Sequence, residues 1–373
     1  MPVLAPCWYQ PADEVMDMPE RRTALYDLHV AAKARMVPFA GWSMPLNYGS
    51  QIAEHHDVRR SAGMFDVSHM TITDLTGTGA RELLARLFAN DVDKAAPGRA
   101  VYGVLLNASG GVIDDVIVYG RDSGYRVVSN AATCEKVLDW LRVHAGGFDV
   151  AVHERRDLAL IAVQGPNALT SFSAATAMDV VDLGAFSARE QNGWMVARTG
   201  YTGEDGVEVA LPNDQAVALW QRLSNAGVAP AGLAARDTLR LEAGLLLYGQ
   251  DMDETTSPLE SNLGWTVAWD PAERDFVGRE ALARQRSRGP ERVLRGVVLA
   301  GRGVIRQGQR VETNAGGGTV TSGIFSPTLG YSIGFARLPR GATGDCLIEI
   351  RRSDIPGRIV RPPFVRQGKQ VFK

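Results

Sequence analysis

The spacing of apolar residues predicts short helices that alternate with strands over the first three quarters of the chain. Apolar residues recur every three or four positions, as on the buried face of a helix, in TALYDLHVAAKA, AEHHDVRRSAG, ARELLARLFAND, CEKVLDWLRVHA and AVALWQRLSNAG. They alternate with other residues, as in half-buried strands, in MTITDLTG, AVYGVLLN, DVIVYG, YRVVSN, LALIAVQG, WMVARTG and GVEVALP. Because the strands follow one another as hairpins and not as repeated βαβ units, the pattern predicts an antiparallel α+β body.

The pattern changes near residue 285. Beyond this point almost every segment is a short strand or a turn, as in VLRGVVLAG, GGGTVTSGIF, YSIGFARL, DCLIEIRR and GRIVRPPFV. Such a run predicts a separate barrel or sandwich. The polar segment QRSRGPER contains Gly-Pro and is typical of a linker. We therefore assign residues 21–285 to the α+β region and residues 290–373 to an all-β domain.

Residues 1–20 fit neither of these regions. They are acidic and rich in proline, and they lack the apolar stretch of a signal peptide. We interpret them as a poorly ordered N-terminal extension, with the folded protein beginning near Arg21.

Charge and composition narrow the classes of function. The 373 residues carry a net charge of −2, with both signs mixed along the chain, so there is no basic stripe to bind nucleic acid. No apolar run reaches the length of a membrane span. Cys7, Cys134 and Cys346 are far apart, and the adjacent His55 and His56 suit neither helical nor strand ligation, so we predict no metal site. An odd, sparse set of cysteines fits the reducing cytoplasm.

Two acids stand in the middle of the predicted strand VIDDVIVY, where aspartate is uncommon. Alternation places Asp114 with Val116 on one face and Asp115 with Ile117 on the other. Because both faces are otherwise apolar, at least one carboxylate should face a core or a pocket. One interpretation is a functional acid. The other is structural, with Asp114 capping a turn or bulge and Asp115 paired with a buried arginine.

Two further segments carry candidate ligand-binding residues. In RTGYTGEDGVEVALP, glycine-containing turns flank Tyr201, and Glu204 occupies the turn before a strand. An acid in such a turn is either solvated or part of a site. Arg236 and Arg240 are i, i+4 neighbours on an apolar helix, and they repel each other unless a negative charge lies between them. Either Glu242 or a bound anionic ligand could supply that charge.

Aromatic and sulfur-containing residues cluster in two other segments. GMFDVSHM and FAGWSMPLNYGS combine methionine, aromatic and small residues. Such segments form either ordinary core or a flat slot for a heterocycle. Trp265, in LGWTVAW, fits the same two interpretations. No phosphate loop and no Gly-x-Gly-x-x-Gly follows a strand, which weighs against nucleotide and dinucleotide binding.

Eight segments, taken together and in their order along the chain, resemble one protein family. They are VPFAGWSMPLNYGSQIAEHH, GMFDVSHM, LLNASGGVIDDVIVY, VQGPNA, RTGYTGEDGVEV, GLAARDTLRLEAGLLLYGQDMDETTSPLESNLGWTV, FVGREAL and TSGIFSPTLGYSIGFA. The family is that of the aminomethyltransferases, the T-proteins of the glycine cleavage system. The resemblance runs from about Thr23 to about Val365.

The resemblance implies a fold and a reaction. The fold is a three-domain cloverleaf around a central folate cavity, with two interleaved α+β domains and a C-terminal barrel or jelly-roll-like domain. The reaction moves the one-carbon unit of an aminomethyl group from the lipoyl arm of H-protein to tetrahydrofolate, and it releases ammonia. The products are 5,10-methylenetetrahydrofolate and dihydrolipoyl H-protein. The resemblance implies no metal, and it implies glycine decarboxylase and dihydrolipoyl dehydrogenase as indirect partners.

The resemblance also assigns roles to residues. Asp115 matches the acid of the family that acts in catalysis, which leaves Asp114 a structural role. Glu204 and Arg236 are expected at the folate. The remaining expected contacts are the slot walls Tyr102, Ile117, Tyr201 and Trp265, the lining residues Met64, Met70 and Asn130, and Arg366 near the glutamate tail.

Relatives with other activities give two alternatives. One is a folate-dependent demethylase of a small methylated compound, which shares the fold and uses another one-carbon donor. The other is a non-enzymatic folate-binding protein of iron–sulfur cluster assembly, which carries a Lys-Gly-Cys segment. Leu246 and Leu247 stand where that segment needs glycine and cysteine. The number of matching segments favours the aminomethyltransferase.

Overall fold

A computed structural model describes residues 20–372, so residues 1–19 of the predicted extension lie outside the described part. None of the helices in that part of the chain is long and apolar enough to cross a membrane. The helices are α1 (Tyr26–Ala31), α2 (Gln51–Arg60), α3 (Ala80–Leu87), α4 (Cys134–Ala145), α5 (Ala168–Thr176), α6 (Asn213–Asn225), α7 (Leu233–Glu242) and α8 (Arg279–Arg288).

Six strands form the first sheet. They are β3 (Gly63–Asp66), β9 (Leu158–Gln164), β10 (Ala188–Gln191), β11 (Trp194–Ala197), β12 (Gly206–Pro212) and β13 (Ala229–Pro230). Their order is β10-β11-β12-β9-β3-β13, and every neighbouring pair is antiparallel except β13 and β3. Val207 and Val209 of β12 are buried in one core with Leu219 and Trp220 of α6. The apolar face that alternation predicts on β12 thus packs against the apolar face that helical spacing predicts on α6.

Five strands form the second sheet, and all its pairs are antiparallel. They are β4 (Thr71–Thr76), β5 (Ala100–Leu106), β6 (Val112–Arg121), β7 (Gly124–Ser129) and β8 (Ala151–Glu154), in the order β5-β6-β7-β4-β8. The chain forms β3 of the first sheet, then all five strands of the second, and then returns to the first with β9. The two sheets are therefore interleaved along the chain.

The C-terminal part is a closed six-stranded barrel. Its strands are β14 (Arg292–Leu299), β15 (Arg310–Thr313), β16 (Gly316–Phe325), β17 (Ser332–Pro339), β18 (Asp345–Ile350) and β19 (Ser353–Val360), in the order β14-β17-β16-β15-β18-β19. The other strands of the described residues form two small hairpins, β1 (Arg35–Phe39) with β2 (Trp42–Asn47) and β20 (Val365–Arg366) with β21 (Lys369–Gln370).

The predicted α+β class and C-terminal barrel are confirmed.

The segment before the barrel differs from the prediction of a linker. Helix α8 continues through Arg288, into the first half of QRSRGPER, and ends at Gly289. Gly289 has φ of 74°, a left-handed conformation that glycine adopts without steric cost. The following Pro290 cannot continue a helix. The polar composition of this segment therefore belongs to an exposed helix, and only the Gly-Pro step is irregular.

The turn between β5 and β6 is fixed by local contacts. The Oδ1 atom of Asn107 accepts hydrogen bonds from the backbone N–H groups of Ser109 and Gly111, each at 3.0 Å. A Cβ atom at Gly111 would lie 1.8 Å from the carbonyl oxygen of Glu254, so only glycine fits there. This close approach anchors the start of β6, which carries the paired acids, against the segment that follows α7.

Two apolar clusters join the sheets and the barrel. Phe65 of β3 and Val128 of β7 are buried together between the two sheets. Val104 of β5 is buried in a second cluster with Leu294 and Phe335 of the barrel. Because each junction is a shared core, the second sheet is held against both other parts of the molecule.

Candidate active site

A large cavity lies where the two sheets, the barrel and the segment after α7 meet. Its volume is about 1880 Å³, and its wall includes Asp115, Glu208 and Arg236 and extends to Arg295 and Arg361 of the barrel side. Pockets for one drug-sized ligand enclose about 300–1,000 Å³, so this cavity has room for two substrates side by side. Within residues 20–372, no three His, Cys, Asp or Glu side chains are grouped as a metal site.

Asp115 faces this cavity from the middle of β6. It lies opposite Val104 in the β5–β6 ladder, and alternation places Ile117 on the same wall. The Tyr102 hydroxyl donates to Oδ2 at 2.9 Å, and the Asn130 amide Nδ2 donates to Oδ1 at 2.9 Å. Burial raises the pKa of Asp115 to about 6. Among the described residues no arginine pairs with it, so the structural interpretation with a buried arginine partner does not apply.

Asp114 points to the opposite face of β6 and is completely buried. Its Oδ2 accepts from the backbone N–H of Asn130 at 3.0 Å and from the Thr133 hydroxyl at 2.7 Å, and its Oδ1 accepts from Asn130 Nδ2 at 2.8 Å. Burial, and then the charge of Asp115, raise the pKa of Asp114 to about 7. The two acids therefore occupy different environments, as the alternation predicted.

Arg236 and Arg240 differ in their partners although both lie on α7. Arg240 donates to Asp237 and to Asp251, each at 2.9 Å. The guanidinium of Arg236 lies 4.6 Å from the centre of the Tyr201 ring, and its buried Nη1 atom has no hydrogen-bond partner among the described residues. Burial lowers the pKa of Arg236. Carboxylates thus neutralise Arg240, and of these two arginines Arg236 is the one available to a ligand.

Glu204, which was expected at the folate, is not part of the cavity wall. Its Oε1 atom accepts a hydrogen bond from Arg59 Nη1 at 2.8 Å, and the two side chains are only 6% and 4% exposed. Arg59 also pairs with Glu242 at 3.0 Å and donates to the backbone carbonyl of Thr202 at 2.7 Å. The turn that carries Glu204 therefore directs its carboxylate toward α2, where Arg59 satisfies it.

Glu208, four residues further on, does line the cavity. Its Oε2 atom accepts from the Thr199 hydroxyl at 2.6 Å, and the Tyr119 hydroxyl lies 3.2 Å from the same Thr199 oxygen. Glu208 is missing from the sequence-based prediction, although a signal was present. It is a charged residue in the middle of a strand whose neighbouring residues Val207 and Val209 are buried.

Met64 is the second expected lining residue that the structure places elsewhere. It is completely buried on β3, in the core between the first sheet and its helices. In GMFDVSHM the ordinary core interpretation is therefore correct for Met64. The expected residues that do line the cavity, besides Asp115 and Arg236, are Tyr102, Ile117, Tyr201, Trp265, Met70, Asn130 and Arg366.

Aromatic residues cover one side of the cavity. Trp265 is 69% exposed, and its ring stacks on Tyr102 with centroids 5.9 Å apart and planes at 27°. The Tyr201 hydroxyl donates to the backbone carbonyl of Leu246 in the segment after α7. Because Tyr102 also contacts Asp115, the aromatic surface and the acid are joined at one residue.

His69 also lines the cavity and was not predicted individually. Its ring meets Phe39 edge to face at 5.3 Å, and its Nδ1 atom is buried without a hydrogen-bond partner in the described residues. Burial, and then the charge of Arg236, lower the pKa of His69 to about 4. The imidazole is therefore neutral at pH 7. In the sequence, His69 belongs to GMFDVSHM, a segment that we interpreted from its methionine, aromatic and small residues.

Two family profiles match this chain and together cover most of it. Residues 25–271 match the family described as the GCVT N-terminal domain. Residues 292–366 match the glycine cleavage T-protein C-terminal barrel domain. The second match coincides with the barrel and with the β20 strand that carries Arg366.

Curated relatives and a solved structure agree with these profiles. The aminomethyltransferase of Alcanivorax borkumensis is 55% identical over 94% of this chain and 99% of its own length. The aminomethyltransferase of Nitrosococcus oceani is 54% identical over 94% of this chain and 96% of its own length. The crystal structure of glycine cleavage system aminomethyltransferase T from Bartonella henselae is 35% identical and has a TM-score of 0.89, with 95% of this chain and all of that chain covered. The chain thus belongs to the aminomethyltransferase family of the glycine cleavage system, the T-proteins.

Proposed function

We propose that the protein transfers the one-carbon unit of an aminomethyl group, carried on the lipoyl sulfur of H-protein, to tetrahydrofolate. The carbon loses its bonds to sulfur and to the amino nitrogen and gains bonds to N5 and N10 of the folate. The two protons from those nitrogens leave with ammonia and with the lipoyl thiol. The products are 5,10-methylenetetrahydrofolate, ammonia and dihydrolipoyl H-protein.

One observation carries this proposal. The same cavity holds a half-buried carboxylate, Asp115, and a half-buried guanidinium, Arg236, and neither forms an ion pair among the described residues. Burying either group alone is costly unless something compensates it. A substrate pair that develops positive charge at one point and presents hydrogen-bond acceptors at another suits both groups.

The residues of the cavity fit a folate. A pterin ring has an amide-like edge, with an amino group and ring N–H donors that a carboxylate accepts as a pair. Glu208 takes this role in place of Glu204, because the Oε2 atom of Glu208 is oriented by Thr199 and its carboxylate reaches the cavity. Arg236 donates to the ring, and Arg366 lies where it can meet an anionic tail. The flat rings of Tyr102 and Trp265, stacked on each other, form one wall of the slot.

Asp115 acts on the reacting carbon. Loss of ammonia leaves positive charge on that carbon, and a fixed carboxylate stabilises this charge in a water-poor site. Asp115 also orients the amine of the folate and accepts its proton. Alignment of the two bound substrates supplies much of the remaining rate. The bound tetrahydrofolate itself supplies the two nitrogens that receive the carbon.

The partner and the setting follow from the same proposal. The lipoyl carrier H-protein delivers the aminomethyl group, and glycine decarboxylase and dihydrolipoyl dehydrogenase act on the same carrier before and after this step. We place the reaction in the cytoplasm and propose no metal cofactor. We also propose residues 21–285 as the interleaved α+β domains and residues 290–373 as the barrel domain, which accords with the two profile matches.

An assay with aminomethylated H-protein and tetrahydrofolate tests the function. We expect methylenetetrahydrofolate and ammonia to form in equal amounts. The Asp115→Asn variant is the matched negative control. No product with this donor, together with turnover of a small methylated compound, would instead support the demethylase alternative.

A further inference from the structure

The side chain of Asn130 joins the two acids of β6. Its Nδ2 atom donates to Asp114 Oδ1 at 2.8 Å and to Asp115 Oδ1 at 2.9 Å, and it lies 3.3 Å from the backbone carbonyl of Asp115. An amide nitrogen has two N–H groups, and here both are directed at carboxylates. Asn130 thus connects Asp115, which lines the cavity, with Asp114, which lies behind the cavity wall.

The carboxylate of Asp115 is held at both oxygens. Tyr102 occupies Oδ2 and Asn130 occupies Oδ1. With a donor on each oxygen, the plane of the carboxylate is fixed relative to the cavity. The two donors also favour the ionised form of Asp115, and thereby oppose the effect of burial. Loss of either donor would leave the carboxylate free to turn and easier to protonate.

Asn130 is in turn held by Asp114. The Asp114 carboxylate accepts from the Asn130 side chain through Oδ1 and from the Asn130 backbone N–H through Oδ2. It therefore fixes both the position of the residue and the direction of its amide. The Thr133 hydroxyl also donates to Oδ2, at 2.7 Å. Asp114 itself does not line the cavity. Apart from its charge, which acts directly on Asp115, its connection to the cavity wall is the amide of Asn130.

We propose that Asp114 is a positioning residue for the transfer reaction, which acts on Asp115 through the amide of Asn130. This inference rests on the proposed function, in which Asp115 meets the reacting carbon. It differs from a purely architectural role, in which Asp114 stabilises the β6–α4 region and has no separate influence on turnover.

A double-mutant cycle on Asp114 and Asn130 distinguishes the two roles. We expect Asp114→Asn and Asn130→Ala each to lower kcat about 10- to 100-fold, the effect of one lost hydrogen bond to a charged group. The dissociation constant for tetrahydrofolate should change less than about threefold in both. Because Asp114 acts through Asn130, adding Asp114→Asn to Asn130→Ala should cost less than about a further twofold. An equal loss of kcat in both backgrounds would overturn the inference.

Thr133→Val is the control. It removes one donor to Asp114, as Asn130→Ala does, and a 3.0 Å contact to the backbone carbonyl of Asn130, but it keeps the side-chain amide that reaches Asp115. We expect a much smaller loss of kcat than in Asn130→Ala, at similar melting temperatures. If Asp114→Asn does not fold, this comparison still decides, since equal losses of kcat in Thr133→Val and Asn130→Ala contradict the inference. Failure of the proposed function is separate, because it leaves the unaltered protein without turnover in the same assay.

Discussion

The hydroxyl of Tyr102 donates a hydrogen bond to the Oδ2 atom of Asp115 across the β5–β6 ladder, at 2.9 Å. Burial, and then the charge of Asp115, raise the pKa of Tyr102 well above its usual value. The phenol therefore stays protonated throughout the physiological range and serves as a donor. In this pair the carboxylate carries the charge and the tyrosine keeps it ionised.

Asp115→Asn should remove transfer while folate still binds. An amide has no charge to stabilise the reacting carbon and accepts no proton, and such groups contribute about 10²–10⁴ in rate. Asp114→Asn should be milder because Asp114 lies behind the wall. Stopped assays for methylenetetrahydrofolate measure the transfer activity of each variant, and a separate titration measures its affinity for folate. Similar residual activity in the two variants would contradict the assignment of Asp115.

Tyr102→Phe should shift the acidic limb of the pH–kcat profile to higher pH. The hydrogen bond from Tyr102 lowers the pKa of Asp115, so its loss raises that pKa above about 6. Activity that needs ionised Asp115 is then lost at a higher pH as the solution is acidified. The other titratable groups that act on Asp115 are Asp114, Asp251 and Tyr201, and the substitution leaves them in place.

Tyr248→Phe is the control for this profile. Tyr248 also lines the cavity, but its hydroxyl contacts Lys136 at 3.4 Å and does not reach Asp115. Profiles measured between pH 5 and pH 8 should coincide for Tyr248→Phe and the unaltered protein. An unshifted limb in Tyr102→Phe would show that the pKa of Asp115 does not set the profile.

Glu208→Gln and Glu204→Gln should separate folate binding from stability. Glu208 faces the cavity, so its loss should weaken tetrahydrofolate binding about 10- to 100-fold, as expected for a charge-assisted hydrogen bond. Glu204 pairs with Arg59 away from the cavity, so its loss should lower the melting temperature and leave folate affinity nearly unchanged. Calorimetric titration and thermal unfolding measure the two effects. The reverse result would return Glu204 to the site.

Arg236→Met and Arg240→Met should differ strongly in their effect on the stability of the folate-free protein. Arg240 neutralises Asp237 and Asp251, and removing one partner of a buried pair costs about 3–5 kcal/mol. Arg236 has no carboxylate partner in the described residues, so its replacement should cost little stability or increase it. It should nevertheless weaken folate binding. A large loss of stability in Arg236→Met would mean that a protein group already compensates its charge.

Local patterns predicted what depends on neighbouring residues in the chain. Alternation in VIDDVIVY correctly separated the faces of Asp114 and Asp115, because a strand alternates whatever it packs against. Helical spacing in CEKVLDWLRVHA matched α4 from Cys134 to Ala145. The run of short strands after residue 285 predicted the barrel.

Contacts between distant segments were beyond such patterns. Glu204 was expected at the folate because nothing in its turn reveals Arg59, which is 145 residues away in the sequence. Met64 is apolar in an apolar segment, and only the packing of β3 decides between core and cavity. The bridge from Asn130 to the two acids likewise depends on the register of β6 and β7, which brings the residue after β7 beside both carboxylates.

The interleaving of the two sheets has a consequence for how the chain folds. Strand β3 pairs with β9 from Gly63↔Gln164 to Asp66↔Ile161, and the whole second sheet is inserted between them. Val67 and Leu160, at the two ends of the insertion, are joined by a backbone hydrogen bond of 3.0 Å. Closing so long a loop from an unfolded chain is entropically costly and slow. We expect β6 and β7 to gain amide protection before β3 in pulsed hydrogen exchange, because the folded insertion brings the two partners of the first sheet together.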